Sequence, residues 1–245
     1  MRHGEFRHRR LVQVYDAECP WGPDDDFFRA VVDETPAARV LDLGCGTGRL
    51  TIALAADGHT VTGVDPAGAS IAAARAKPGA ERVTWIEGTS ALLPGRAFDV
   101  AVLTSHVAQF FVDDAEWTRT LVDLRRALVP GGRLAFDARD PADRRWERWN
   151  PVDSQRRITL PDGGEVRAWT RVTGVRDGVV DFIHHYRFAD GEELLSSATL
   201  RFRTEAELRD SLTAAGFTVD HIHGGWHREP VGHGEFVVLA HTESG

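Results

Sequence analysis

VLDLGCGTGRL, residues 40–50, carries a short apolar run into a helical pattern through Gly44, Gly46 and Gly48, three glycines at alternate positions. The run Val40–Leu43 has the composition of a buried strand, and apolar spacing resumes from Arg49 to about Ala56 as on a helix. Glycine is needed where the chain turns through positive φ or lets a ligand touch the main chain, and a helix N-terminus offers free amide donors. A dinucleotide fingerprint would place its third glycine five residues after the first. Arg49 stands there, so the loop is not shaped for a pyrophosphate and a nicotinamide dehydrogenase is disfavoured.

Outward from this loop, strands and helices alternate. Asp24–Asp26 precede Phe27, Phe28, Val31 and Val32, the acidic start and apolar face of a helix. HTVTGVD (59–65), RVTWIEG (82–88), FDVAVLTS (98–105) and RLAFDA (133–138) read as further strands, with helices at about 70–76 and 116–128, the latter stopped by Pro130-Gly131-Gly132. After residue 150 the period changes from 3.6 to 2. Four strand-like runs between 155 and 203 are separated by Asp162-Gly163-Gly164, Arg176-Asp177-Gly178 and Asp190-Gly191, which are hairpin signals. Thr204 and Glu207 form a capping box for a helix closed by Gly216, and FTVDHIH (217–223) and EFVVLAH (235–241) are the last strands. The expected fold is a doubly wound α/β sheet of seven mostly parallel strands with helices on both faces. Residues 1–150 and 204–245 supply this core, and an antiparallel β insertion, 151–203, follows the fifth strand as a lid or dimer element.

A second acidic residue, Asp65, ends the second strand 23 residues after Asp42. A carboxylate there can accept both ribose hydroxyls of an adenosyl ligand. With VLDLGCGTG (40–48), VTGVDP (61–66), FDVAVL (98–103), RRALVPGGRLAF (125–136) and LTAAGF (212–217), the chain resembles the class I, Rossmann-like S-adenosylmethionine-dependent methyltransferases over about four fifths of its length. The resemblance implies S-adenosyl-L-methionine as methyl donor. It implies that Asp42, Gly44, Cys45, Gly46 and Gly48 hold the methionine end, that Asp65 beside Pro66 holds the ribose, and that Thr104 and Ser105 border the methionine portion. Thr89 and Ser90 flank the adenine, with Gly88-Thr89-Ser90 standing where the family commonly has Gly-Asp-Ala, so a hydroxyl replaces a carboxylate.

Acceptor-side candidates sit at the carboxyl ends of the strands, where open α/β sheets bind ligands. His106 suits proton removal at neutral pH, and its bland alternative is a histidine bonded to a neighbouring loop. Arg139 either pairs a substrate carboxylate or binds Asp137 or Asp140, and Gln109 lies on the same edge. On the insertion, Val180, Phe182, His184, Tyr186 and Phe188 share one face, and the polar tips of His184 and Tyr186 mark them for substrate contact. Trp146 and Trp149, three apart, fit core packing better than a substrate wall. His221, His223, His227 and His233 lack the spacing of a metal site, so no metal is expected.

Composition bounds the rest. The 245 residues are 42% hydrophobic and 27% charged with a net charge of −8, an ordinary globular balance that argues against a general nucleic-acid surface. Two cysteines and no long apolar run point to a cytoplasmic chain away from membranes. Lys77 is the only lysine among 29 basic residues, which coding bias explains, and Arg2, Arg7, Arg9 and Arg10 read as a solvated terminal arm. The expected activity is methyl transfer to a small-molecule acceptor, leaving S-adenosylhomocysteine, by a monomer or homodimer. The competing readings are a methyltransferase of RNA or protein and a non-catalytic S-adenosylmethionine-binding protein. The tetrapeptide of amino-methylating nucleic-acid enzymes is absent after the fourth strand, where Leu103-Thr104-Ser105-His106 stands.

Overall fold

A computed structural model of the chain describes residues 1–232 and 234–243. Three helices come first: α1 (Gly4–Arg7), α2 (Arg9–Glu18) and α3 (Pro23–Asp33). Proline in the first turn and Asp24–Asp26 favour the start of α3, which buries Phe27, Phe28, Val31 and Val32. There follow β1 (Arg39–Leu43), α4 (Arg49–Ala56), β2 (Thr60–Asp65), α5 (Gly68–Arg75), β3 (Thr84–Glu87), β4 (Phe98–Leu103), α6 (Asp114–Ala127) and β5 (Leu128–Arg139). The inserted strands are β6 (Arg156–Thr159), β7 (Glu165–Arg176), β8 (Val179–Phe188) and β9 (Glu193–Arg201), and the chain ends with α7 (Glu205–Ala214), β10 (Phe217–His223) and β11 (Glu235–Thr242).

The main sheet has seven strands in the order β10-β11-β5-β4-β1-β2-β3. Strands β1 to β5 pair in parallel and β10 and β11 antiparallel. Side chains alternate across it, which builds two cores. Val40, Val100 and Val102 pack with Phe28, Leu50 and Leu54 of α3 and α4 on one face. Leu41, Leu103 and Phe136 pack with Trp117, Leu121, Leu208 and Leu212 of α6 and α7 on the other. The doubly wound fold expected from the sequence is therefore present, and so is the antiparallel sheet after β5, ordered β6-β7-β8-β9.

The apolar face of that second sheet is covered within the chain. Tyr186, Phe188, Val166 and Ile158 bury against Leu11 and Val14 of α2. Phe182, Leu200 and Phe202 bury against Trp146, Trp149 and Phe110. Trp146 stands edge-on to Phe202 at 4.6 Å between ring centroids, and Trp149 to Phe182 at 4.9 Å. The tryptophans lie on a 3-10 turn, Arg145–Arg148, and its cap rather than on an α-helix.

The basic start is not a solvated arm. The His3 amide donates to Ser197 O at 2.8 Å and the Ser197 amide to Met1 O at 2.8 Å, so the chain start lies beside β9. Gly4 and Glu5 are buried, and Arg10 pairs with Asp190 and Glu192. The positive charges are few and interspersed with Phe6, Leu11, Val12 and Val14, and the last three are fully buried. Among the described residues, no helix is long and apolar enough to cross a membrane.

Candidate active site

A cavity of about 500 Å³ opens at the carboxyl ends of β1, β2 and β4, with the glycine loop as its floor. Gly44 takes φ +81°, and a Cβ there would lie 2.5 Å from Val107 Cγ2, so the loop tolerates no side chain at that position. Gly46 also has positive φ, with open space where its Cβ would be. Cys45 and Gly46 are part of the cavity wall, while Gly48 packs on Trp85 at the start of α4.

Two carboxylates flank this floor. Asp65 accepts the Gly46 N–H at 2.9 Å and the Ala67 N–H at 2.8 Å, which locks the loop to the end of β2. Burial raises its pKa against those two hydrogen bonds. Asp42 accepts the Thr51 hydroxyl through Oδ2, and its buried Oδ1 has no partner. Burial pushes the Asp42 carboxyl up to about 7, with Asp65 adding to the shift and Thr51 opposing it. A buried acceptor atom left over beside a bare main-chain loop suits a ligand carrying amino or sulfonium charge. Pro66, Thr89, Ser90 and Thr104 also line the cavity, with the Ser90 hydroxyl donating to Asp123 at 2.8 Å.

The sequence reading missed the roof. His3, Phe6, Arg7 and Tyr15 from α1, α2 and their start close the cavity, facing Ser105, Val107 and Phe110. Phe6 stands edge-on to Tyr15 at 5.3 Å and to Phe110 at 5.6 Å, and Tyr15 and Ser105 both line the cavity. Polar contacts pin the roof to the floor. Asp16 binds the Thr47 hydroxyl and the Lys77 ammonium, the latter at 2.9 Å. Arg49 donates to Cys19 O and, at 3.0 Å, to Asp25, so the residue at the third-glycine position is a tether. The available signal was the apolar spacing of Leu11, Val14 and Tyr15, which marks a covering helix.

The acceptor-side candidates lie elsewhere. His106 is outside the cavity lining, with Nε2 3.0 Å from Glu235 Oε2 and 3.2 Å from Asp137 Oδ2. Gln109 accepts from Arg139 at 2.9 Å, and that guanidinium, buried and depressed in pKa by desolvation, lies 5.7 Å from the Trp149 ring. His184 bonds the Thr170 hydroxyl at 2.8 Å, and burial pushes its pKa down to about 3, leaving it neutral. Tyr186 is packed against α2. None of these five lines the cavity, and α2 intervenes between it and Tyr186 on the second sheet. His221 and His223 stack on each other at 5.4 Å, and His233 lies outside the described residues. The one group of metal-ligand type among the described residues is His106, Asp137 and Glu235, not these histidines.

Residues 40–132 match a family described as a methyltransferase domain. A putative methyltransferase of Geobacillus sp. is 35% identical over 41% of this chain and 42% of its own length. The chain thus spans about half the length of the first curated relatives it matches. A cypemycin N-terminal methyltransferase of Streptomyces sp. is 29% identical over 78% of this chain and 77% of its own. The structure of CalS10, an amino pentose methyltransferase from Micromonospora echinaspora, superposes with a TM-score of 0.67 at 20% identity, covering 95% of this chain and 96% of that one. The chain thus carries a methyltransferase domain over residues 40–132, within a fold it shares with solved methyltransferases.

Proposed function

We propose that this chain is an S-adenosylmethionine-dependent methyltransferase that methylates a small-molecule acceptor and releases S-adenosylhomocysteine. The observation that carries this reading is the roofed cavity in which a bare glycine loop meets Asp42 and Asp65. The donor supplies a methyl group already activated on a sulfonium. In this reading Asp65 and the loop amides hold the ribose and methionine ends, Asp42 faces the cationic end, and Thr89 borders the adenine. Phe6, Tyr15 and Phe110 wall the remaining space and exclude water. Positioning alone is worth up to about 7–11 kcal/mol for such a transfer. Residues 1–150 and 204–245 then form the cofactor-binding core, and 151–203 backs its roof.

A small acceptor is favoured over a nucleic acid by the net charge of −8 and by the covering helices. The amino pentose enzyme with the same architecture supports the small-molecule reading. A chain N-terminus as acceptor is the second reading, supported by the relative described as an N-terminal methyltransferase. The test is a screen of amino sugars, phenols and short peptides, read as S-adenosylhomocysteine formed. Turnover with a sugar or phenol is the expected result. Turnover with peptides alone transfers the assignment to the second reading, and binding without any turnover leaves a cofactor-binding protein.

A further inference from the structure

Ser105 and His106 are consecutive non-glycine residues in the left-handed region, with φ 56° and 64°. Side chains there cost free energy that surrounding contacts must offset. The bend sits directly after β4, between Thr104 and Val107 of the cavity wall. Its second residue is held twice. The His106 amide donates to Asp137 Oδ2 at 2.9 Å, and the ring nitrogen Nε2 meets Glu235 Oε2 at 3.0 Å. Asp137 is on β5 and Glu235 on β11, both buried, and Arg145 steadies the other Glu235 oxygen at 2.8 Å. The residue after the bend, Val107, fills the space that a Cβ on Gly44 would need.

We propose that His106 is a positioning residue: the Asp137–His106–Glu235 clamp holds the left-handed bend and thereby seats Val107 against the first glycine of the cofactor loop. The inference rests on the reading of that loop as the cofactor site. It departs from the sequence expectation of a general base, because the ring is engaged by carboxylates and lies outside the cavity lining, whereas its neighbours Ser105 and Val107 are inside it. The three ligand-type atoms lie within 4.8 Å of one another, a spacing that also admits a cation. Arg145 already pairs with Glu235 at 2.8 Å and offsets its charge, which favours a clamp.

Substitutions at His106 and at Glu235 test these roles. His106→Ala and His106→Gly both delete the imidazole, but only glycine adopts φ 64° freely. Because the bend is left-handed, the glycine variant melts about 2 °C or more above the alanine variant, the reverse of the usual order. It also binds S-adenosylhomocysteine about fivefold or more tightly than the alanine variant by calorimetry. His106→Asn, which tolerates the left-handed region, falls on the glycine side of both measurements. A glycine variant that melts no higher than the alanine variant overturns the left-handed bend as a strained element, and a Glu235→Ala variant that binds S-adenosylhomocysteine as tightly as the wild type overturns the clamp. So does one equivalent of transition metal in the purified wild type that is lost in Glu235→Gln. If the wild type itself fails to bind S-adenosylhomocysteine, the cofactor reading falls, while a Glu235→Ala variant that melts with the wild type still overturns the clamp.

Discussion

Along the carboxyl edge of the parallel sheet, Asp42 keeps a buried oxygen without a partner on the wall of the cavity, whereas on the inner face of the antiparallel sheet His184 is already bonded to Thr170 and Tyr186 is packed against α2. In sequence the two cases look alike: a polar group at a position whose pattern demands burial. The structure separates them by whether the partner is supplied from within the chain. The partnered groups of the second sheet are committed to packing, whereas the unpartnered Asp42 oxygen belongs to a residue that lines the cavity. The first sheet borders the cavity, and the second backs the helix α2 that helps to roof it.

The largest effect that tests this division is on stability. Tyr186→Ala deletes a ring buried among Leu11, Val14, Ile158 and Val166, and it should cost about 3–5 kcal/mol in denaturant unfolding. A variant of unchanged stability that loses only acceptor use would instead make the inner face part of the site.

A smaller effect concerns protonation. Burial holds the Asp42 carboxyl up at about 7, so below that pH the free protein carries a proton there. Because the folded value lies above the ordinary carboxylate range, this group contributes stability at low pH that is lost as pH rises through about 7. A cationic ligand favours the ionised form. Affinity for S-adenosylmethionine should therefore rise between about pH 5 and 7, by at most roughly tenfold per pH unit, with a proton released on binding. Above that range it should level off. Asp42→Asn should flatten the profile, and calorimetry in buffers of different ionisation enthalpy reads both quantities. A flat wild-type profile would separate Asp42 from the ligand.

What the sequence made legible follows the range of the interactions. The glycine loop, Asp65 and the hairpins of the insertion depend on local backbone geometry, which neighbouring residues encode. The tethers of the roof join residues far apart. Asp16 meets Lys77, Cys19 meets Arg49, and His106 meets Glu235 across 129 residues. Nothing in the first ten residues announces that the chain start lies on β9 and that Arg10 pairs with the loop before it. Lys77, which looked like a remnant of coding bias, sits on both Asp16 and the Thr47 carbonyl. The two tryptophans show the intermediate case, since their packing role was readable and their 3-10 turn was not.

The central claim is that the glycine loop and Asp65 form a cofactor site. Titration calorimetry of the wild type and of Asp65→Ala with S-adenosylhomocysteine tests it most directly. Asp65 accepts two loop amides, and loss of a charge-assisted contact costs on the order of 1.5–3 kcal/mol. The expected result is saturable one-to-one binding by the wild type, weakened about tenfold or more in the variant. No binding by the wild type, or equal affinity in the two proteins, would contradict the account.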